Sequence, residues 1–412
     1  MTTQPAQGDT AERTLEAGPG VDPGFAAAFD PFADDVLADP YPAWARIREA
    51  GPAVHLPRHD VWAIGRYADV REALRDHETF SSVGGIGLRP IADPVEAGLP
   101  SSIDPPDLER YRRLMGAQLG PRHLPKLGDM IRVRAEDLVA DLLTRGTFDA
   151  VADWGRTFPV DVLGDLVGLP VQGREPLPRW AAAVFDNFGP DNERSAAAQP
   201  LLADLITYVS EVVTRENLDP DGMGAKVFEA ADRGEVNEVE AMSVIMTFLV
   251  SGMGTASDAL AQMLVLLAEH PDQWKALREN PALIPGVFEE VLRYDAPVQA
   301  FFRTVVRDAD VGGVPVPAGS RAMLLFGSAN RDGRKWADPD RFDVGRNPVD
   351  HLAFGSGAHN CPGQALARLE AKTLLNAFVR KVERIELAGE PVRRLGQVSR
   401  SWESAPIRVV PV

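Results

Sequence analysis

The sequence predicts a mainly α protein built as one compact unit with small β elements. Three observations predict it. Helical periodicity recurs through most of the 412 residues. One stretch, Asn237 to Glu269, is apolar on most sides and long enough to cross a domain core. Alternating strand-like runs are short and sit between Gly- and Pro-containing turns.

The elements follow in order. Residues 1–25 read as a polar, disordered leader with no signal-peptide pattern, and 26–412 as a single domain. Tyr41–Ala50 is a helix ending at Gly51. Ala53–Leu56 and Val61–Gly65 flank Pro57–Asp60 as a hairpin, and Ala68–Asp76 is helical. Ser81–Pro106 is loop-like, with Gly84, Gly85, Gly87 and several prolines, and a long irregular segment is often functional. Helices follow at Leu108–Leu119, Pro125–Arg145, Phe158–Val167, Pro178–Phe188 and Pro200–Glu216. Asn237 and Glu240 form a capping-box pattern at the head of the long helix, and His270-Pro271 closes it. Pro285–Arg293 is the next helix. Val311–Val316 and Arg321–Leu325 are strands, Gln364–Val382 is the last long helix, and the tail is strand-like.

Composition narrows the function. A net charge of −17 argues against general nucleic-acid binding and suits a soluble cytoplasmic protein. The longest apolar run, Ala241–Met253, is too short for a membrane span and is broken by Ser243, Thr247, Ser251 and Gly252. A buried helix is expected, with no membrane partner and a monomeric chain. One cysteine cannot make an internal disulfide.

That cysteine lies in His351-Leu-Ala-Phe354-Gly355-Ser-Gly357-Ala-His359-Asn-Cys361-Pro-Gly363. A lone cysteine is ordinarily a small buried hydrophobe. Here glycines permit a backbone that passes close under a flat ring, and a helix starting after Gly363 points its N-terminus at the sulfur. The pattern Phe-Gly-x-Gly-x-His-x-Cys-x-Gly resembles the haem-ligand loop of the cytochrome P450 family. The resemblance implies the fold of that family, with many helices around a long central one, haem b (iron protoporphyrin IX) as cofactor, and Cys361 as the iron's ligand. Phe354, Gly355 and Gly363 would shape the loop, and His359 would bond a haem propionate.

Further segments carry the same resemblance over nearly the whole chain, from about Asp30 to the end. Glu290-Val-Leu-Arg293 matches the family's Glu-x-x-Arg helix. With Arg346, from Phe342-Asp-Val-Gly-Arg346, it implies a buried structural lock. Ala329-Asn-Arg-Asp332 leading to Pro339 and Phe342 matches the segment between lock and cysteine loop. Arg112 and Arg303 match propionate-binding arginines. A histidine common in relatives is Leu108 here.

The central helix reads Val250-Ser251-Gly252-Met253-Gly254-Thr255-Ala256-Ser257-Asp258. Relatives place an acid before the threonine, and the two groups deliver protons during oxygen activation. Thr255 matches the alcohol, whereas Gly254 replaces the acid. Space at Gly254 could hold a relay water; Asp258 could assist through it; peroxide could bring its own protons; or another group could act. The water relay ranks first. Peroxide-using relatives that oxidise fatty acids carry Arg-Pro at this point, and this chain does not.

The chain resembles most the bacterial branch that O-demethylates para-alkoxybenzoates. The matches are Phe185 and Phe188, Val298-Gln-Ala-Phe301-Phe-Arg-Thr304, Phe326-Gly-Ser-Ala-Asn-Arg-Asp332 and Thr79–Leu88. Phe185, Phe188 and Phe301 suit a flat ring, with Val298, Thr247 and Ser251 beside them. Relatives carry an arginine where Gly84 stands, a serine where Arg89 stands, and Arg-Ser at Met246-Thr247. Either Arg89 replaces the carboxylate anchor, or the substrate is a neutral methoxyarene of guaiacol or syringol type. A peroxygenase, a hydroxylase of a larger scaffold and a non-catalytic haem sensor are the rivals. The resemblance implies a ferredoxin and its reductase as partners. Arg110, Arg112, Arg113, Arg122 and Lys126 are the candidate docking cations.

Overall fold

The computed structural model describes residues 22–91, 98–119 and 124–412. Residues 1–21 and Arg122 lie outside these, as does the side chain of Lys126. The described chain starts with two short helices, Pro23–Ala28 and Asp34–Ala38, so regular structure reaches into the expected leader. Asp22 caps the first through its carboxylate, which accepts from the Gly24 N–H at 2.9 Å.

The longer helices are α1 (Tyr41–Ala50), α2 (Tyr67–Arg75), α3 (Leu108–Leu119), α4 (Leu124–Arg145), α5 (Thr157–Val167), α6 (Leu177–Asp186), α7 (Glu193–Val212), α8 (Met223–Asp232), α9 (Glu238–Thr247), α10 (Met253–Glu269), α11 (Pro271–Glu279), α12 (Ile284–Tyr294) and α13 (Gln364–Val379). The strands are β1 (Ala53–Leu56), β2 (Val61–Ile64), β3 (Phe80–Ser81), β4 (Thr147–Asp149), β5 (Ala300–Val305), β6 (Ala309–Val311), β7 (Val314–Val316), β8 (Arg321–Leu325), β9 (Val382–Leu387), β10 (Val392–Arg394), β11 (Ser401–Ser404) and β12 (Pro406–Pro411). The protein is mainly α, as its periodicity predicts.

The principal sheet runs β1-β2-β8-β5-β3, with β2 and β8 parallel and the other pairs antiparallel. The expected hairpin forms and pairs Ala53 with Ile64 and Leu56 with Val61. The stretch expected as one strand over Val311–Val316 is instead the hairpin β6–β7, turned at Gly312 and Gly313, both with positive φ. Helix α7 begins well before the expected Pro200. Asn192 and Ser195 form its capping box, and Pro200 lies within the helix. Helices α8 and α11 have no counterpart in the periodicity reading; Pro271, taken as a stop, sits at the first position of α11, where its missing N–H costs nothing.

The central element departs from one continuous helix. Its capping box is present, with the Asn237 and Glu240 N–H groups each bonded at 2.9 Å to the other residue's side chain. Between α9 and α10, however, Phe248–Gly252 is a π-helical turn. The whole run is 32 residues and apolar enough to cross a membrane by length, but it lies in the core: Leu260, Met263, Leu264 and Leu267 are buried. A second π turn, Ala150–Arg156, packs on it. Trp154 donates its indole N–H to the Leu260 carbonyl at 3.1 Å, and a Cβ at Gly155 would lie 2.6 Å from the Ser257 carbonyl.

The lock between α12 and the following loop forms as the resemblance implies. Arg293 and Glu290 are fully buried and bonded twice, at 2.7 and 2.8 Å, and Arg346 reaches Glu290 at 3.2 Å. Removing one member strands a buried charge. Glu290→Ala should therefore lower folding free energy by about 3–5 kcal/mol. Arg346→Ala, at the rim, should cost about 1–3 kcal/mol. Urea denaturation of the two variants against the parent checks the order.

Candidate functional site

Cys361 stands at the end of a loop that the fold holds from three sides. Asn330 Oδ1 accepts from the Leu352 N–H at 2.7 Å, and the Cys361 N–H donates to the Phe354 carbonyl at 2.8 Å. Gly355 and Gly357 have φ of 70° and 75°. At Gly357 a Cβ would lie 2.6 Å from the Leu74 carbonyl, so glycine is required there by both conformation and contact. A brace that sequence reading missed sits behind the loop. Glu289 accepts from Arg368 at 2.7 and 3.0 Å and meets His351 Nε2 at 3.1 Å, while Arg368 lies 4.7 Å over the Phe354 ring. Burial opposes its charge, but His351 and Arg368 hold Glu289 down to about 2. Its signal was only adjacency to Glu290.

Cys361 faces a cavity of about 990 Å³. Burial pushes its thiol up, against the pull of the Gly363 and Gln364 N–H groups, Arg112 and Arg368. A thiolate here is therefore favoured by a bound cation such as iron. Arg112 lines the cavity and donates to both oxygens of Asn360, at 2.6 Å to the carbonyl. His359 also lines it and bonds Asp104 at 2.9 Å through Nε2. Burial pushes this imidazole below its ordinary range.

Arg303 is buried behind the wall. Burial lowers it to about 10; it donates to the Phe302 carbonyl at 2.7 Å, and no carboxylate lies at ion-pair distance among the described residues. A buried guanidinium without an anion is costly. Two such cations, a thiol and a large apolar slot fit an iron porphyrin with its propionates. Cys361 would hold the iron, and Arg112, His359 and Arg303 the carboxylates.

The opposite wall is built by α9, the π turn and α10. Thr247, Ser251 and Thr255 line the cavity. Thr255 donates to the Ser251 carbonyl at 2.7 Å and Thr247 to the Ser243 carbonyl at 2.8 Å. Phe185, Phe188 and Phe301 close on one another: the first and third stack at 6.2 Å, and Phe188 meets them edge-on at 5.8 and 6.1 Å. Phe326 completes the cage, edge-on to Phe301 at 5.7 Å. Val298 and Ile86 flank it.

Two expectations need correction. Arg89 does not enter the cavity; its side chain is 45% exposed and pairs with Asp191. The loop forces this. The Leu88 N–H is tied to the Phe188 carbonyl at 2.7 Å, Ile86 and Leu88 turn inward, and the guanidinium stays in water. Arg321, unnoticed in the sequence, holds the loop by donating to the Gly85 and Gly87 carbonyls. Gly254 is not among the cavity-lining residues either. It faces away from the cavity, and a Cβ there would lie 2.9 Å from the Ala181 Cβ of α6, so its small size serves helix packing. Of the expected docking cations, Arg110 pairs with Glu240 at 2.6 Å, Arg112 turns inward, and Arg113 is exposed.

Two outcomes follow. Cys361→Ser should abolish the thiolate-type Soret position of the ferrous–CO complex, read by absorbance of the loaded protein. Glu370, buried in α13 at the cavity wall, is raised to about 8 by burial. Its folded value exceeds its unfolded one, so the stability it contributes below its ordinary range is lost as pH rises toward 8. Glu370→Gln should match the parent near pH 5 and melt on the order of 5 °C higher near pH 8. Thermal melts at the two pH values check this.

Comparison with known proteins places the chain in a family. The family described as "Cytochrome P450" matches residues 215–393. Cytochrome p450 CYP199A2 of Rhodopseudomonas palustris is 40% identical over 386 residues, covering 93% of this chain and 94% of that protein. The vitamin D(3) 25-hydroxylase of Pseudonocardia autotrophica is 32% identical, covering 93% and 96%. Among solved structures, CalO2 superimposes with a TM-score of 0.82 at 30% identity, covering 93% and 99%. Cytochrome P450 CREJ in complex with (4-ethylphenyl) dihydrogen phosphate gives 0.84 at 27%, covering 93% and 100%. At 40% identity over 93% of its length with one such protein, the chain belongs to the cytochrome P450 family and is a haem b monooxygenase.

Proposed function

We propose that this monooxygenase O-demethylates a small neutral methoxyarene, a methoxyphenol of the guaiacol or syringol type, to a phenol and formaldehyde. One observation carries the reading. Four phenylalanines close on one another at the cavity wall, while the charged or titratable lining groups are His359 of the cysteine loop, Arg112, which is bonded to that loop, and Glu370 of α13. A benzoate would bring a carboxylate to a wall with no cation among the described residues, and an unpaired buried carboxylate is costly. A neutral ring gains edge and face contacts instead, with hydroxyl and amide partners at Ser251, Thr247 and Asn187.

Haem, when bound, supplies the activation of dioxygen and the oxidising power for the methyl C–H bond. The chain's own residues do the rest. Phe185, Phe301 and Phe326 hold the ring plane; Val298 limits its tilt; the cage keeps bulk water from the reacting methyl group. Thr255 Oγ1 offers a hydroxyl proton to the oxygen side of the cavity. The balance is methoxyarene plus O2, two electrons and two protons, giving phenol, formaldehyde and water. A hydroxylated methyl group is a hemiacetal, which loses formaldehyde. The electrons come from a ferredoxin and its reductase, the ferredoxin docking through exposed cations such as Arg113.

A second reading has its own support. The cavity continues past the cage to Leu202 and Ile206 of α7, and Ile206 is 63% exposed. That length would admit a larger apolar scaffold for hydroxylation. Spectral titration of the ferric protein separates the readings. Guaiacol and syringol should shift the spin state tightly, and 4-methoxybenzoate weakly. A tight shift with the benzoate would overturn the neutral assignment, and no shift with any of the three would favour the larger scaffold.

A further inference from the structure

Each turnover consumes two protons, yet the wall above the haem site is apolar apart from hydroxyls and side-chain amides. A titratable group must bring protons to Thr255. Gly254 cannot, because it has no side chain, and a Cβ there would lie 2.9 Å from Ala181 Cβ. Glu370, a buried carboxyl of α13, lines the same cavity as Thr255 beside Leu366 and Ala367.

A polar stripe does run from the π turn into α10. Ser251, Thr255, Asp258 and Gln262 are spaced four, three and four residues apart, which puts them on one helical face amid otherwise apolar neighbours. The first two line the cavity. Asp258 has no hydrogen-bond or ion-pair partner among the described residues. Gln262 is buried; its Oε1 accepts from Arg393 at 3.0 Å, but its Nε2 has no partner. Asp258 is only half-buried, so water reaches its carboxyl, and the orphaned Gln262 amide one turn on is a group that water completes. Beyond the stripe, Arg394 binds Asp186, and both Arg393 and Arg394 keep 19% side-chain exposure, so solvent reaches the outer end.

We propose that Asp258 is the proton-holding carboxyl that feeds Thr255, taking the place of an acid at Gly254, and that the stripe to Gln262 and the Arg393–Arg394 edge is its route to solvent. The Asp258 carboxyl gives its proton through water to the Thr255 hydroxyl end, and the carboxylate regains one from solvent at the arginine edge. Two passes supply the two protons of one turnover, with electrons from the ferredoxin. The charged groups that face Asp258 are Arg394 of β10, Arg156 of the second π turn, and Asp186 of α6. Burial outweighs the two arginines and raises Asp258 to about 7. The group is thus protonated below neutrality and loses its proton as pH rises through about 7, and coupling should fall over that range.

The inference rests on the monooxygenase assignment and not on the methoxyarene reading. The test therefore has one arm free of substrate. Infrared spectroscopy of the ferric holoprotein should show a protonated-carboxyl band that fades as pH rises through about 7 and is missing in Asp258→Asn. With whichever of guaiacol and 4-methoxybenzoate shifts the spin state, Asp258→Asn should keep the parent's binding shift. Its product per electron should fall by at least about tenfold, with peroxide released instead. Asp258→Glu should recover part of the coupling and move the band; it also serves if the asparagine variant does not load haem. A band unchanged by both substitutions, or parent-like coupling in Asp258→Asn, would overturn the proposal.

Discussion

Every N–H of Arg293 is used. Its guanidinium gives two bonds to Glu290 and one each to the carbonyls of Asn330, Pro339 and Arg341, and it is wholly buried. Glu290 in turn accepts from Arg346 and from the Asp343 N–H. A charge this deep is tolerable only with all its donors met, so α12 dictates the course of the chain from Asn330 to Arg346. Asn330 then sets the cysteine loop, because its side chain receives the Leu352 N–H. The sulfur's position is thus inherited from an ion pair in another element.

Charge is segregated across the cavity. Arg112, Arg303 and His359 gather near the cysteine loop, held by Asn360, Phe302 and Asp104. The other half presents phenyl rings, small hydroxyls and amides. The first half suits a dianionic, flat group such as a porphyrin with its two propionates. The loop near Gly85 and Gly87 keeps this division by turning Ile86 inward and Arg89 outward under the grip of Arg321.

Departures from regular helix concentrate where the chemistry lies. The π turn at Phe248–Gly252 precedes Thr255 by less than one helical turn, and mid-helix π turns often mark functional sites. Glycines there serve packing: a Cβ at Gly252 would meet Leu163 at 2.5 Å, and one at Gly254 would meet Ala181. The helix gains close neighbours and loses the acid at Gly254, while Asp258 one turn on faces Arg394 and Asp186 instead.

By itself the sequence determined the helical class, the β1–β2 hairpin and the capping box at Asn237, which depend on local spacing: periodicity, turns and paired caps. Its resemblance to a known family implied the lock and the cysteine loop. What it left open was decided by residues distant in sequence. Helix α11 begins at a proline that local rules read as a stop. The direction of Arg89 depends on a carbonyl at Phe188 and an arginine at 321, and the use made of Gly254 depends on Ala181. The brace at Glu289 and the stripe to Gln262 draw their meaning from His351, Arg368 and Arg393. Only the tertiary structure decided these, because burial and hydrogen-bond satisfaction are properties of surroundings that a linear pattern does not contain.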